Sequence, residues 1–398
     1  MDAITAGVAL AIVQLCSSVI MAGVFFTTPA EKYTRYWALS GVLVGFGLVL
    51  VVLNAYSPPS LSRNLAWLLG YSSLYAGSVA VWCGLRAFYM RRVSFWALFL
   101  VLFYSALFAY LLFSGASFTK RSYVTVPSLE LMFLLYLVEM MRGVSGPQAK
   151  PYASRTFGML MACFAGFILF ASYALRIVLI TINPVQFEPA TITSFGVWLI
   201  YLIPLGGSLL LTAGLLLLYF ERLVADKHRL ATEDVLTGTL NRRELVNVGE
   251  RALQAAIDQH HTLTLAFIDV DHFKKINDSF GHLVGDRVLA TVAATLRQNC
   301  REQDVLGRYG GEEFCIVFPG LDQQEASRIG ERLVDAVRAQ VFDHAQAVTI
   351  SVGLVVLQPN EVQSWDSLIH LADMALYRAK AEGRDSYCLS PARAVRAV

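Results

Sequence analysis

About seven apolar runs occupy the first half of this chain, at residues 4–26, 36–56, 65–88, 93–113, 123–141, 157–180 and 195–219. Each is close to the length that a helix needs to cross about 30 Å of hydrocarbon. Charge divides the chain in the same place. Residues 1–220 hold 12 Lys and Arg and 5 Asp and Glu, whereas residues 221–398 hold 20 and 25. The expected fold class is therefore an all-α membrane bundle of about seven transmembrane helices, followed by an α+β domain in water. Gly and Ser recur in the apolar runs, as they do where membrane helices approach closely. The first run lacks a basic leader and a clear cleavage site, so no signal peptide is expected.

Basic loops orient the bundle. Lys32 with Arg35, Arg91 with Arg92, Arg142 with Lys150 and Arg155, and Arg222 with Lys227 and Arg229 fall on one side. The other side offers Arg63 and the pair Lys120 and Arg121. The richer side is cytoplasmic, which puts the N-terminus outside and the C-terminal domain inside. The fifth run is the weakest span because it contains Pro127, Glu130 and Glu139. Its loss would reverse the parity, and the basic loops favour keeping it. Glu130, Glu139 and Arg176 are read as interfacial or helix-pairing groups rather than as the wall of a ligand cavity. The six cysteines contain no C-x-x-C, which argues against a zinc site or a disulfide framework and for small buried residues.

After the last span, Leu223 and Leu230 stand seven apart. That spacing fits a short coiled-coil stalk or a plain helical connector. Beyond it strands and helices alternate: a strand at 264–271, a helix at 285–297, a hairpin at 308–314, a helix near 323–340, a strand at 347–357 and a closing helix at 367–380. This order predicts an antiparallel sheet with helices on one face. The resulting domains are 1–219 (membrane region), 220–234 (linker) and 235–398 (soluble domain).

The hairpin reads "R-Y-G-G-E-E-F". Gly310 and Gly311 fit a tight turn at positive φ. Adjacent Glu312 and Glu313 are unusual on a strand and call for a cation or a proton nearby. Asp269 ends the first strand, and Asp271 points to the same side by the strand's period of two. Such a cluster suits Mg²⁺, with Lys274 and Lys275 facing phosphates, or else forms a salt-bridged acidic rim.

The motifs in this half are dense. "D-V-D-H-F-K-K-I-N-D-S-F-G-H-L-V-G-D" follows the first strand, and "D-V-L-T-G-T-L-N-R-R" opens the domain, with Thr239 where a Leu is usual. "S-V-G" at 351–353 and "A-D-M-A-L-Y-R-A-K-A-E-G-R-D" at 372–385 close it. Together with the hairpin they resemble the GGDEF family, the diguanylate cyclases, over about residues 230–390. The resemblance implies a nucleotidyl-cyclase-like palm that condenses two GTP into cyclic di-GMP and pyrophosphate, one GTP on each protomer of a homodimer. It implies Asp269, the Val270 carbonyl and Glu312 as ligands for Mg²⁺ or Mn²⁺, two per site, with Glu312 and Glu313 sharing the proton-acceptor role in a division that sequence leaves open. Phe273, Lys274, Gly310, Gly311, Lys380 and Arg384 are implied at the phosphates, the last two four apart on one helix face, and Arg308 is implied near the nucleotide. Asn277 and Asp286 are implied at guanine, with His282 beside them or serving only to start a helix. "R-E-Q-D" places Arg301 and Asp304 as a product-inhibition site six residues before Gly310.

The reading that follows is a multi-pass protein of the inner membrane with a cytoplasmic cyclase domain. An unknown sensor ligand and the lipid bilayer are its other partners, and no nucleic acid is expected. A catalytically silent receptor for nucleotide or cyclic di-GMP is the alternative. A transporter is disfavoured for want of inverted repeats and a charged path, and no phosphodiesterase domain is expected after Arg384.

Overall fold

The structure is a computed structural model that describes residues 2–28, 31–145, 156–187, 192–342, 347–359 and 361–391. Lys150 and Arg155, used above for orientation, lie outside the described residues. The chain divides into two compact units, Met1–Ala225 and Asp226–Val398.

The first unit is helical: α1 (Ala3–Thr27), α2 (Tyr33–Leu53), α3 (Leu61–Phe88), α4 (Trp96–Phe113), α5 (Phe118–Ser145) and α6 (Phe157–Ile182). A short α7 (Ser194–Val197) passes through a π turn at Trp198–Leu202 into α8 (Ile203–Thr232). Among the described residues seven helical stretches are long and apolar enough to cross a membrane, the last being Ser194–Thr232. The weak fifth run is among them and carries Pro127 inside the helix.

Apolar residues are divided between the outside of the bundle and its interior, where Trp37, Tyr75, Phe108 and Tyr136 are buried. Large residues such as Val19, Phe26, Leu98 and Phe164 are exposed, while Ala6, Ala11, Ser40 and Ser73 are buried. Small residues let the backbones touch. A Cβ on Gly41 would stand 2.7 Å from the Gln14 carbonyl, and one on Gly47 would stand 2.6 Å from that of Gly70. Apolar residues gain little by leaving lipid, so this close packing, with polar pairing, holds such helices together. The expectation of buried cysteines holds for Cys83 and Cys315, while Cys16 is exposed on α1 and the other three are intermediate.

Glu139 is 2% exposed and meets Arg86 at 3.3 Å and Arg91 at 2.6 Å, tying α5 to α3 and to the turn after it. Its helix-pairing role is as expected. Arg176 behaves differently: it lines a cavity. In α8, Leu223 packs on the bundle core whereas Leu230 is 61% exposed, so the two leucines do not share one exposed seam.

The second unit contains α9 (Arg242–Asp258), β1 (Leu263–Val270), α10 (Phe273–Phe280), α11 (His282–Gln298), β2 (Val305–Arg308), β3 (Glu313–Pro319), α12 (Gln323–Arg338), β4 (Ile350–Leu357), α13 (Trp365–Ala381) and β5 (Tyr387–Pro391). The sheet order is β2-β3-β1-β4-β5. Neighbours pair antiparallel except β4 and β5, which are parallel, so the sheet is mixed. Helices cover both faces rather than one. Val292 of α11 and Leu333 of α12 pack with Ile268 on one side. Leu253 of α9 and Leu368 of α13 pack with Phe267 on the other. The pattern of β1 already permits this, because six of its eight residues are apolar, and all eight, Thr264 and Asp269 included, are buried. A strand buried on both faces loses the alternation that marks a half-solvated one.

Removing Glu139 would leave two arginines facing each other in the bundle. Glu139→Ala is expected to cost about 3 kcal/mol, the usual loss when one partner of a buried pair is deleted. Thermal unfolding of the full chain in detergent checks this. Truncating Arg86 and Arg91 as well should recover part of the loss, and an unchanged midpoint for the single variant would show that the pair contributes nothing.

Candidate active site

β1 is hydrogen-bonded on both edges, and its last residues deliver carboxylates to the end of the sheet. Asp269 stands opposite Glu313 of β3 and Ser351 of β4. The Val270 amide donates to the Glu312 carbonyl at 3.3 Å, which seats the hairpin across from the strand end. Asp269 is 6% exposed, and its Oδ1 lies 2.8 Å from the Lys380 ammonium. α13 comes this close because β4 has Gly353 beneath it, where a Cβ would collide with the Ala372 carbonyl and the Leu376 amide.

Burial raises the Asp269 carboxyl above its usual range; Lys380 opposes that rise and Asp271 adds to it. Glu312 and Glu313 are also raised, first by burial and then by the Asp269 charge, with Lys380 pulling both back. The cluster therefore carries more negative charge than its one ammonium offsets. Hard oxygen donors in excess of their counter-charge fit a divalent cation that fills its shell with water and phosphate. Among the described residues no group of three His, Cys, Asp or Glu side chains forms a complete metal cage. Mg²⁺ does not require one, since it commonly binds through one or two carboxylates.

Asp271 has a different fate. It accepts from the Thr349 and Ser351 hydroxyls at 2.7 Å each and from the Asp385 amide at 3.1 Å. Its oxygens are engaged in holding strand ends together. Arg384 approaches it at 4.0 Å. Arg384 is not on the last helix: α13 stops at Ala381, Gly383 turns the chain at φ +124°, and Arg384 itself sits at φ +67°. Lys380 and Arg384 nevertheless serve neighbouring carboxylates.

The hairpin glycines also differ from expectation. Neither Gly310 nor Gly311 lies in the left-handed region. Gly310 lies against the Glu313 carboxylate, which a Cβ there would displace, while a Cβ on Gly311 would meet nothing within 4 Å. Arg308 fastens this turn. Its Nε and Nη2 donate to the Gly311 carbonyl at 3.1 and 2.6 Å, and its Nη1 meets Asp234 at 3.1 Å. Burial raises the Asp234 carboxyl, but bonds from Thr237 and then Arg308 outweigh it and hold it below its usual range. Asp234 had no assigned role, although the motif "D-V-L-T-G" begins with it and was the available signal.

His272 takes φ +56° and turns the chain from β1 into α10. The first amides of that helix have no intrahelical acceptor, which favours an anion at Phe273 and Lys274. The Phe273 ring is core, and Lys274 is exposed. Asn277 leaves Oδ1 buried without a partner, and Gly285 of α11 leaves the space it needs. His282 and Asp286 are exposed at the start of α11. Arg301 and Asp304 form a turn in which the Arg301 amide donates to Asp304 at 2.7 Å, while Asp304 Oδ1 is buried and unpartnered. Burial raises the Asp304 carboxyl against the pull of Arg301 and Arg332.

The unit is thus an α+β domain in which a glycine hairpin lays two glutamates against a strand-end aspartate. The family model for the diguanylate cyclase GGDEF domain matches residues 231–386. Among curated proteins, diguanylate cyclase DgcP of Pseudomonas aeruginosa is 39% identical over 172 residues, covering 42% of this chain and 25% of that one. Probable diguanylate cyclase DgcT of Escherichia coli is 37% identical over 175 residues, covering 41% and 38%. The solved coiled coil and GGDEF domain of DgcB from Caulobacter crescentus, in complex with c-di-GMP, is 30% identical at a TM-score of 0.41, covering 43% of this chain and 92% of that one. The chain spans 25% to 38% of the length of these two curated relatives. Residues 231–386 are thus matched as a GGDEF domain.

The raised carboxyls have a consequence for stability. A folded carboxyl that binds protons more tightly than the unfolded one contributes most at low pH and loses that contribution as pH rises through its folded value. At neutral pH, Glu312→Gln should therefore stabilise the metal-free protein. The gain is reduced by solvent screening, leaving a rise of about 1–2 °C in the midpoint of this unit. The difference from wild type should shrink toward pH 4. A variant less stable than wild type at pH 7 would contradict the electrostatic account.

Proposed function

We propose that the chain is a membrane-bound diguanylate cyclase that condenses two GTP into cyclic di-GMP and two pyrophosphates. The observation that carries this reading is the meeting of Asp269, Glu312 and Glu313, all with raised carboxyls, at a hairpin whose Gly311 face is open. Mg²⁺ or Mn²⁺, two per site, would be held by Asp269, the Val270 carbonyl and Glu312, and supplies charge neutralisation at the phosphoryl oxygens when bound. Lys380, Arg384, Lys274 and the Phe273 amide orient the triphosphate. Glu312 or Glu313 takes the proton of the attacking 3′-hydroxyl, a task that favours a carboxylate with raised affinity for protons. Arg308 acts here as a positioning residue for the Gly310–Gly311 turn rather than as a phosphate ligand.

Asn277 and Asp286 read guanine. An Asp that accepts from N1–H and N2–H₂ finds no such pair of donors on adenine, so ATP is rejected. Supporting this reading, the Asn277 side chain keeps a buried acceptor free of any protein partner. Arg301 and Asp304 bind product by the same logic, since an Arg fork suits guanine O6 and N7. Each site holds one GTP, so two protomers must face each other. Residues 220–234 and the spans raise the frequency of that encounter by confining two copies. We place the spans in the inner membrane and the domain in the cytoplasm, under control of a ligand of the bundle.

Full-length protein in lipid nanodiscs, given GTP and Mg²⁺, tests the chemistry by chromatography of cyclic di-GMP. Wild type is expected to form it from GTP and to leave ATP unreacted. Glu312→Gln should lower turnover by at least ~10²-fold, as transition-state charge loses its partner. A wild type that binds cyclic di-GMP but makes none would establish the silent-receptor alternative instead.

Arg301→Ala separates the two sites. Its initial rate should match wild type, while the slowing seen as product accumulates should vanish. Equal inhibition of both proteins would reduce "R-E-Q-D" to a surface turn.

A further inference from the structure

The helical unit encloses a cavity of about 230 Å³. Arg121, in the first turn of α5, and Arg176, in the last two turns of α6, both line it, at the same end of the bundle. They are its charged groups, and among the described residues that line it there is no Asp or Glu. Two guanidinium charges inside a helical bundle are costly unless an anion meets them. Here none does. The Nε atoms of both arginines are buried without a hydrogen-bond partner. Arg121 is also stacked on the Trp67 ring at 4.8 Å, and Arg63 lies the same distance from that ring. Stacking fixes the plane of a guanidinium and leaves its edge donors pointing outward, ready for a bidentate acceptor.

The rest of the wall is of another kind. Met21, Trp37, Met132 and Leu169 continue the cavity as an apolar slot. An occupant that satisfies both parts has one anionic head and an apolar body. We infer that this cavity is a binding site for an amphipathic organic anion, whose carboxylate or phosphate is held between Arg121 and Arg176. A free acid and the headgroup of an anionic lipid share that chemistry. Ile200 and Tyr201 of the π turn and Pro204 of α8 line the same cavity. An occupant therefore rests against the start of the helix that continues to Thr232. π turns are often found at functional sites, where a helix can be reseated by one residue. The inference deepens the sensor reading given above and rests on it for its purpose, but not for its chemistry.

The test reads binding without GTP, so a failed cyclase assay leaves it intact. Full-length protein in phosphatidylcholine nanodiscs is titrated with 4-phenylbutyrate and, separately, with neutral 4-phenylbutanol, following thermal unfolding. A second arm replaces part of the phosphatidylcholine with phosphatidylglycerol and measures the lipid retained after purification. The expected result is a saturable rise in midpoint with phenylbutyrate that phenylbutanol does not reproduce, and at least a tenfold loss of apparent affinity in Arg176→Gln. Arg121→Gln gives the same reading should the first variant not fold. Selective retention of phosphatidylglycerol by wild type, lost in the Gln variants, would support the same site with lipid as the source. Equal shifts with acid and alcohol, shifts unchanged in both Gln variants, or no saturable binding in either arm would overturn the inference.

Discussion

The second unit depends on one strand that is buried along its whole length and ends in charge. β1 pairs with β3 and β4, so all of its backbone groups can be satisfied within the sheet while its side chains enter two separate cores. A strand held on both edges cannot slip, because a shift of one residue would exchange its two apolar faces. Its end is therefore a fixed point. Asp269 and Asp271 stand there, and neighbouring elements are built to reach them: the hairpin through the Val270 amide, α13 through Lys380, and the turn after α13 through Asp385.

The two aspartates show how one locus separates structure from chemistry. Asp271 has three donors from the protein and functions as a knot between β1, β4 and the Asp385 turn. Asp269 is ion-paired with Lys380, feels Arg384 more weakly, and lies among the carboxylates of Asp271, Glu312 and Glu313. A group already saturated by the fold has little left to offer a ligand, whereas one held among like charges stores repulsion that a cation can relieve. The same division appears among the arginines. Arg308 uses its donors on the Gly311 carbonyl and Asp234. In the helical unit, Arg86 and Arg91 are consumed by Glu139, whereas Arg121 and Arg176 line a cavity with no acid among its described lining residues.

Much of the fold was legible because burial leaves patterns. The seven spans are visible as length and apolarity, and the weak fifth was recoverable from loop charge. The ends of β1, α11 and α12 lie within a few residues of their expected positions, because the apolar periods there are strong. β5 and its parallel pairing were not legible: "Y-C-L-S-P" is short and lacks a periodic signature, and its partner is chosen by where α13 deposits the chain. Helices on the second face were missed for a related reason. An unbroken buried strand says that both faces are covered, but not which later segments cover them.

The sequence alone determined the division of the chain into an apolar helical part and a charged part, the alternation of strands and helices, and the identity of the acidic, glycine and basic residues of the GGDEF match. These follow from composition and local spacing, which act over a few residues. Tertiary structure decided which of those residues remain free. Only packing reveals that Gly310 lies against the Glu313 carboxylate rather than in a left-handed turn, that Arg384 reaches Asp271 from beyond the helix, and that Arg121 and Arg176 line one cavity though they lie on different helices. The physical reason is the same in each case. Availability depends on the partners that a side chain meets, and those partners come from distant parts of the chain.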